Sequence, residues 1–161
     1  MHGVAKRKVP RRTPDYLRPE EVPSILAAIP TRWRPLFATA VYTGLRKGEL
    51  FALRKADVDL TRRLLTVANS HGRDTTKGGR AEVIPIAAEL VPFFERALAV
   101  SSNELVFPGP QNRRWREDTD LSTVLRRALA RAEIVIGWEH VCRRKGCKQR
   151  EMIADKAPRR C

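Results

Sequence analysis

Apolar side chains recur with two different periods along this chain, and the changes of period mark its elements. Trp33, Leu36, Phe37, Ala40 and Val41 stand at i, i+3, i+4, i+7 and i+8, which predicts an amphipathic helix. Gly44 follows where that helix is expected to stop, because glycine accepts the left-handed conformation of a helix end. Upstream, "LRPEEVPSILAAIP" predicts a helix with Val22, Ile25, Leu26 and Ile29 at helical spacing. Pro19, Glu20 and Glu21 suit its first turn, and Pro23 pushes the true start later. "RKGELFAL" predicts a short helix to about Leu53. The period then changes. "RRLLTVANS" and "AEVIPI" read as strands and "HGRDTTKGGR" as the long turn between them, so the three predict an antiparallel hairpin. Helical spacing returns at Leu90, Phe93, Phe94, Ala97 and Leu98. "ELVF" predicts a short strand ahead of the turn "PGPQN". "DTDLSTVLRRALARA" opens on aspartates, then places Leu121, Val124, Leu125, Ala128 and Leu129 on one helical face. The order of patterns predicts an α+β fold, mainly helical, packed around a small antiparallel sheet of about three strands.

The periodicity stops near residue 137. The remaining segment, "GWEHVCRRKGCKQREMIADKAPRRC", is polar, basic and cysteine-bearing. Residues 1–15 are basic, contain Pro10 and Pro14, and offer no core of their own. The expected organisation is therefore a basic arm (1–15), one domain (16–136) and a basic tail (137–161). A length of 161 residues suits one domain with a real core. No apolar run reaches spanning length, and the basic start "MHGVAKRKVPRR" is followed by no apolar segment, so no membrane partner and a cytoplasmic address are expected.

Charge changes the picture more than composition does. Thirty-two Lys and Arg against 18 Asp and Glu give a net charge of +14. Such a field draws in polyanions, and nucleic acid is the expected partner, because neutralising phosphates releases counterions. An anionic membrane surface is the other candidate. It is disfavoured because the basic residues spread over several segments instead of lining one helix.

Two places carry candidate chemistry. In "TGLRKGEL", Arg46 follows a helix end and a glycine, so its planar fork is placed on a sharp turn where it can grip two phosphate oxygens. Glu49, three residues on, can orient it. The plainer alternative is an arginine that only staples a helix junction. Lys77 lies between a polar turn and Gly78–Gly79, where it can reach a ligand and donate a proton to a departing oxygen. The alternative is a solvated turn lysine.

Taken together, "YLRPEEVPSIL", "TGLRKGEL" and "TTKGGRAEVIPI" resemble the first half of the catalytic domain of tyrosine recombinases, the phage-integrase family, over about residues 16–135. The resemblance implies that Arg46 binds the scissile phosphate, that Lys77 acts as general acid toward the leaving 5′ oxygen, and that Glu49 supports them. Arg46, Lys47, Arg73, Lys77 and Arg80 form the expected contact set for double-stranded DNA. The implied reaction is strand cleavage and rejoining through a 3′-phosphotyrosyl link. It needs no metal or ATP, and the full-length protein is expected to self-associate on DNA. The departure from the family is large. A second box of histidine and arginine is not matched here, since His2, His71 and His140 lie in other settings. The only tyrosines, Tyr16 and Tyr42, precede the arginine. The sequence is thus expected to stop before the second half of the site, leaving a DNA-binding chain that does not cleave.

The three cysteines, Cys142, Cys147 and Cys161, do not form a disulfide framework. Cys142 and Cys147 bracket "RRKG" in a C-x4-C pair, the spacing of a zinc knuckle, and Cys161 is placed to begin a second. Plain thiols in a basic tail are the alternative. A non-catalytic DNA-binding or zinc-ribbon interaction module remains the rival to the recombinase reading.

Overall fold

The computed structural model describes residues 16–70, 81–135, 137–142 and 144–153. After a single turn of 3-10 helix (Pro19–Glu21), the chain forms α1 (Val22–Ala28), α2 (Arg34–Thr43) and α3 (Lys47–Ala52). Strands β1 (Val58–Asp59), β2 (Leu64–Val67) and β3 (Glu82–Pro85) follow, then α4 (Val91–Val100), α5 (Ser122–Arg131), and the strands β4 (Trp138–Val141) and β5 (Arg150–Ile153).

Proline sets several helix starts. Pro23, Pro35 and Pro92 each occupy the second residue of α1, α2 and α4. There the missing N–H removes no helical hydrogen bond and the fixed φ favours the first turn. The start of α1 at Val22, after a 3-10 turn, is the late start that Pro23 predicts.

The main sheet is antiparallel in the order β1-β2-β3, with Leu65 opposite Ile84 and Val67 opposite Glu82. Leu65 and Val67 point to the core, as the period of two requires. The helices cover that face. Ile25, Ile29, Leu36, Phe51, Leu65, Leu90, Phe94 and Val106 form one continuous buried cluster. Ala128 is the fully buried contact of α5, while Leu121, Val124, Leu125 and Leu129 are half-buried against the same cluster. Among the described residues no helix is long and apolar enough to cross a membrane.

One expectation needs correction. The run "ELVF" (104–107) is not a strand. It makes one isolated bridge, Leu105 to Arg54, through hydrogen bonds from Lys55 N to Glu104 O and from Val106 N to Leu53 O. Side chains take both backbone groups of Leu105: Ser101 Oγ donates to Leu105 O, and Leu105 N donates to Asn103 Oδ1. Pro108 then offers no N–H to extend a ladder. The third strand of the sheet is instead Val58–Asp59. In the tail, β4 and β5 pair as a second antiparallel sheet, with Trp138 opposite Ile153.

Candidate nucleic-acid interface

Arg46 owes its position to the join between two helices. At the end of α2, Gly44 adopts the left-handed conformation (φ 69°), and its N–H closes on Ala40 O. Leu45 turns into the core, and its N–H donates to Thr43 Oγ1. Arg46 is extended (φ −70°, ψ 154°), and α3 begins at the next residue. The Arg46 N–H donates to Glu49 Oε2 at 2.8 Å, and its guanidinium Nη1 donates to Oε1 at 3.2 Å. One carboxylate therefore caps the helix start and orients the arginine. The pair is asymmetric: the Glu49 side chain is 7% exposed, the Arg46 side chain 68%. A buried carboxylate is tolerable here because both of its oxygens are bonded. The arginine keeps most of its fork open to a ligand.

The same half-box recurs. Arg18 N donates to Glu21 and Arg54 N donates to Asp57, each at 2.8 Å. The capping role is thus general in this fold, whereas the guanidinium contact to the capping acid is found, among the described residues, at Arg46.

Lys47 faces a different neighbour. Its Nζ donates to the carbonyls of Glu117 (2.6 Å) and Thr119 (3.3 Å), which ties the 113–120 loop to the start of α3. Trp115 anchors that loop from inside, with its ring 4.8 Å from Trp33 and 6.0 Å from Phe51 between centroids. Gly109 lets the chain fold this closely, since a Cβ there would lie 3.0 Å from Arg113 O and 3.1 Å from the Trp115 ring. Arg113, Arg114 and Arg116 are left exposed around the half-buried anchor, and Arg116 grips Asp118 through two hydrogen bonds. Sequence reasoning missed these arginines. The signal available was the basic–aromatic run "RRWR".

The loop ends in a second cap. Asp120 accepts hydrogen bonds from the Ser122 N–H and hydroxyl and from the Thr123 hydroxyl at the start of α5. These bonds, the Ser122 side chain first, hold its carboxyl down at about 2 from an ordinary 3.8, with Arg126 adding to the effect. Arg126 and Arg127 are exposed on α5, and Arg131 donates to Ala28 O at 3.0 Å, fastening α5 to α1.

Arg73, Lys77 and Arg80 belong to the connection between β2 and β3 and lie outside the described residues, as does Cys161. Cys142 and Cys147 sit at the closed end of the β4–β5 hairpin and are not in a disulfide.

The sequence profile of the phage integrase family matches residues 15–149. The chain belongs to this family. Two curated relatives are named tyrosine recombinase XerA, from Thermococcus onnurineus (35% identical over 114 residues) and Thermococcus kodakarensis (39% over 114 residues). Each alignment takes in 69% of this chain but 38% of the relative, so the chain spans well under half the length of these recombinases. Its fold is similar to a crystal structure of XerA recombinase, with a TM-score of 0.61 at 26% identity over 81% of this chain and 46% of that one. It is similar in fold to a lambda integrase dimer bound to a COC′ core site, with a TM-score of 0.56 at 21% identity over 81% of this chain and 37% of that one. The α+β architecture is thus that of phage-integrase catalytic domains.

Proposed function

We propose that this chain forms the amino-terminal part of the catalytic domain of a site-specific tyrosine recombinase and binds double-stranded DNA through Arg46 and its basic surroundings. The observation that carries the reading is the Arg46–Glu49 pair: a buried, doubly bonded carboxylate fixes a guanidinium whose fork stays open. That arrangement suits a phosphate whose negative charge grows as a fifth oxygen approaches phosphorus, because a pre-oriented donor needs no reorganisation at that moment. Arg46 is the phosphate ligand, Glu49 the positioning residue and Lys77 the general acid toward the 5′ oxygen. Lys47 has a supporting part, since its ammonium holds the loop of Arg113 and Arg114 beside the start of α3. Arg73 and Arg80 extend the contact surface from the β2–β3 connection.

The reaction of the full-length recombinase is proposed as cleavage and rejoining of strands through a phosphotyrosyl link, in a cytoplasmic protein that self-associates on its DNA. Within these 161 residues the tyrosines are Tyr16 and Tyr42, both ahead of Arg46. The chain as it stands therefore binds without cleaving, because the remaining groups cannot replace an aligned nucleophile. A nicked suicide duplex, which traps any covalent protein–DNA product, tests this directly. Salt-sensitive binding with no trapped product is expected. A covalent product on Tyr16 or Tyr42 would overturn the reading.

A further inference from the structure

We propose that the tip of the β4–β5 hairpin is a second contact for duplex DNA, in which Arg144, Lys145 and Lys148 meet the phosphate backbone. Residues 141–150 hold five Lys and Arg and no Asp or Glu, so this short segment carries +5 of the chain's net charge of +14. The hairpin gathers that charge at one end. The Cys142 N–H donates to Gln149 O at 3.1 Å, and the Cys147 N–H closes on Arg144 O at 3.0 Å. Gly146 stands third in this turn from Arg144 to Cys147, where its φ of 85° suits a residue without a side chain. A Cβ there would meet nothing within 4 Å, so the turn opens onto solvent. Arg144, Lys145 and Lys148 are all exposed.

Charges on so tight a turn act together. The backbone of a closed turn lies within the screening length of about 8 Å at physiological salt, so the potentials of its cations add. Like charges gathered in this way repel one another, and a polyanion relieves the repulsion while releasing its own counterions. The stem suits the same partner. Antiparallel strands lie about 4.8 Å apart, so a two-stranded ribbon fits a major groove about 12 Å wide. The register sets Val141 opposite Arg150 and Glu139 opposite Met152 on one exposed face. There Arg150 bonds Glu139 Oε1 at 3.2 Å, so the acid on that face is neutralised within the stem. An anionic membrane suits the tip less well, because residues 144–149 contain no Trp, Tyr, Phe, Leu, Ile, Val or Met to enter a bilayer.

The inference rests on the reading of the chain as a DNA-binding part of a recombinase, but on residues other than Arg46. It makes the contact one of charge with phosphate, so the tip adds affinity evenly over duplexes of different sequence.

The test compares two triple variants of the whole chain that lose the same charge. One carries Arg144→Gln, Lys145→Gln and Lys148→Gln; the other carries Arg32→Gln, Arg62→Gln and Arg96→Gln, exposed cations on other elements. Affinity for duplex oligonucleotides of two unrelated sequences is measured by fluorescence anisotropy over a salt series. In the hairpin variant the slope of log affinity against log salt should become shallower by about two to three, equally for both duplexes, and in the other variant by less than one. Hydrogen exchange at the amides of 144–149 should slow in the parent when duplex is added. Equal slopes in the two triple variants, hairpin amides indifferent to duplex, or binding to phosphatidylserine vesicles that the hairpin variant loses while its duplex binding is kept would overturn the proposal. Arg46→Ala in the same assay separates the two readings. Weakened binding there beside a hairpin variant that behaves like its control removes the hairpin contact and leaves the Arg46 interface; the reverse pattern removes that interface and leaves the hairpin contact. The three hairpin side chains are exposed, so the exchange for glutamine leaves the β4–β5 ladder intact.

Discussion

The carboxylate of Glu49 accepts from both the backbone N–H and the guanidinium of Arg46, at 2.8 and 3.2 Å, and is itself buried while the arginine is open. The two readings of this motif in the sequence, helix staple and phosphate grip, are therefore not exclusive. The backbone bond staples the start of α3. The side-chain bond sets the direction of an exposed fork.

Glu49→Ala should cost stability and DNA affinity together. Removing a buried carboxylate that accepts two hydrogen bonds, one of them from a charged donor, is expected to cost about 1.5–3 kcal/mol. Urea denaturation reads the first effect and a binding titration the second. A variant with unchanged stability would show that the cap bond contributes nothing.

Gly44→Ala should strain the join that presents Arg46. The space around Gly44 is open, so the penalty comes from its left-handed φ of 69°, roughly 1 kcal/mol for a residue with a Cβ. A small loss of urea midpoint is expected, with a larger relative loss of DNA affinity because Arg46 moves. If affinity follows stability alone, the turn has no role in presenting the arginine.

Trp115→Ala should release the arginine loop. The half-buried ring contacts Trp33 and Phe51, and its truncation is expected to cost about 2–3 kcal/mol, below the range for a fully buried aromatic. Limited proteolysis should then cut within 113–118. Resistance equal to the parent chain would show that Lys47 alone holds the loop.

Asp120 gives a pH dependence of known sign. Its folded value of about 2 lies below the ordinary 3.8. Its contribution to stability is therefore fully present above about 3.8 and is lost as the pH falls through 2. Asp120→Asn should be less stable than the parent at neutral pH, and the gap should close at the acid end of that window. A gap that is constant across it would rule out the ionised carboxylate as the cap.

The parts of this molecule legible in the sequence are those fixed by neighbours along the chain. The face of α2, the stop at Gly44 and the Arg46–Glu49 pair all depend on contacts within four residues. So does the aspartate-rich start of α5. The features that escaped are set by partners far away. Val58–Asp59 becomes a strand only because Leu64–Leu65 lies beside it, and "ELVF" fails to become one because Ser101 and Asn103 claim its backbone groups. Trp115 looks like one more loop residue until Trp33, 82 positions away by subtraction of their numbers, is seen under it. The Lys47 link to Glu117 has the same character. The β4–β5 ribbon carries no apolar alternation strong enough to announce two strands, since Glu139, Val141 and Met152 are all exposed.

The most direct measurement of the central claim is DNA affinity as a function of salt for the parent chain and for Arg46→Ala. If Arg46 grips a phosphate, the variant should bind more weakly, and the slope of log affinity against log salt should become shallower by about one, the share of a single phosphate contact. Circular dichroism should confirm that the variant stays folded, since the exposed guanidinium buries little. Equal affinity and an unchanged slope in a folded variant would contradict the account.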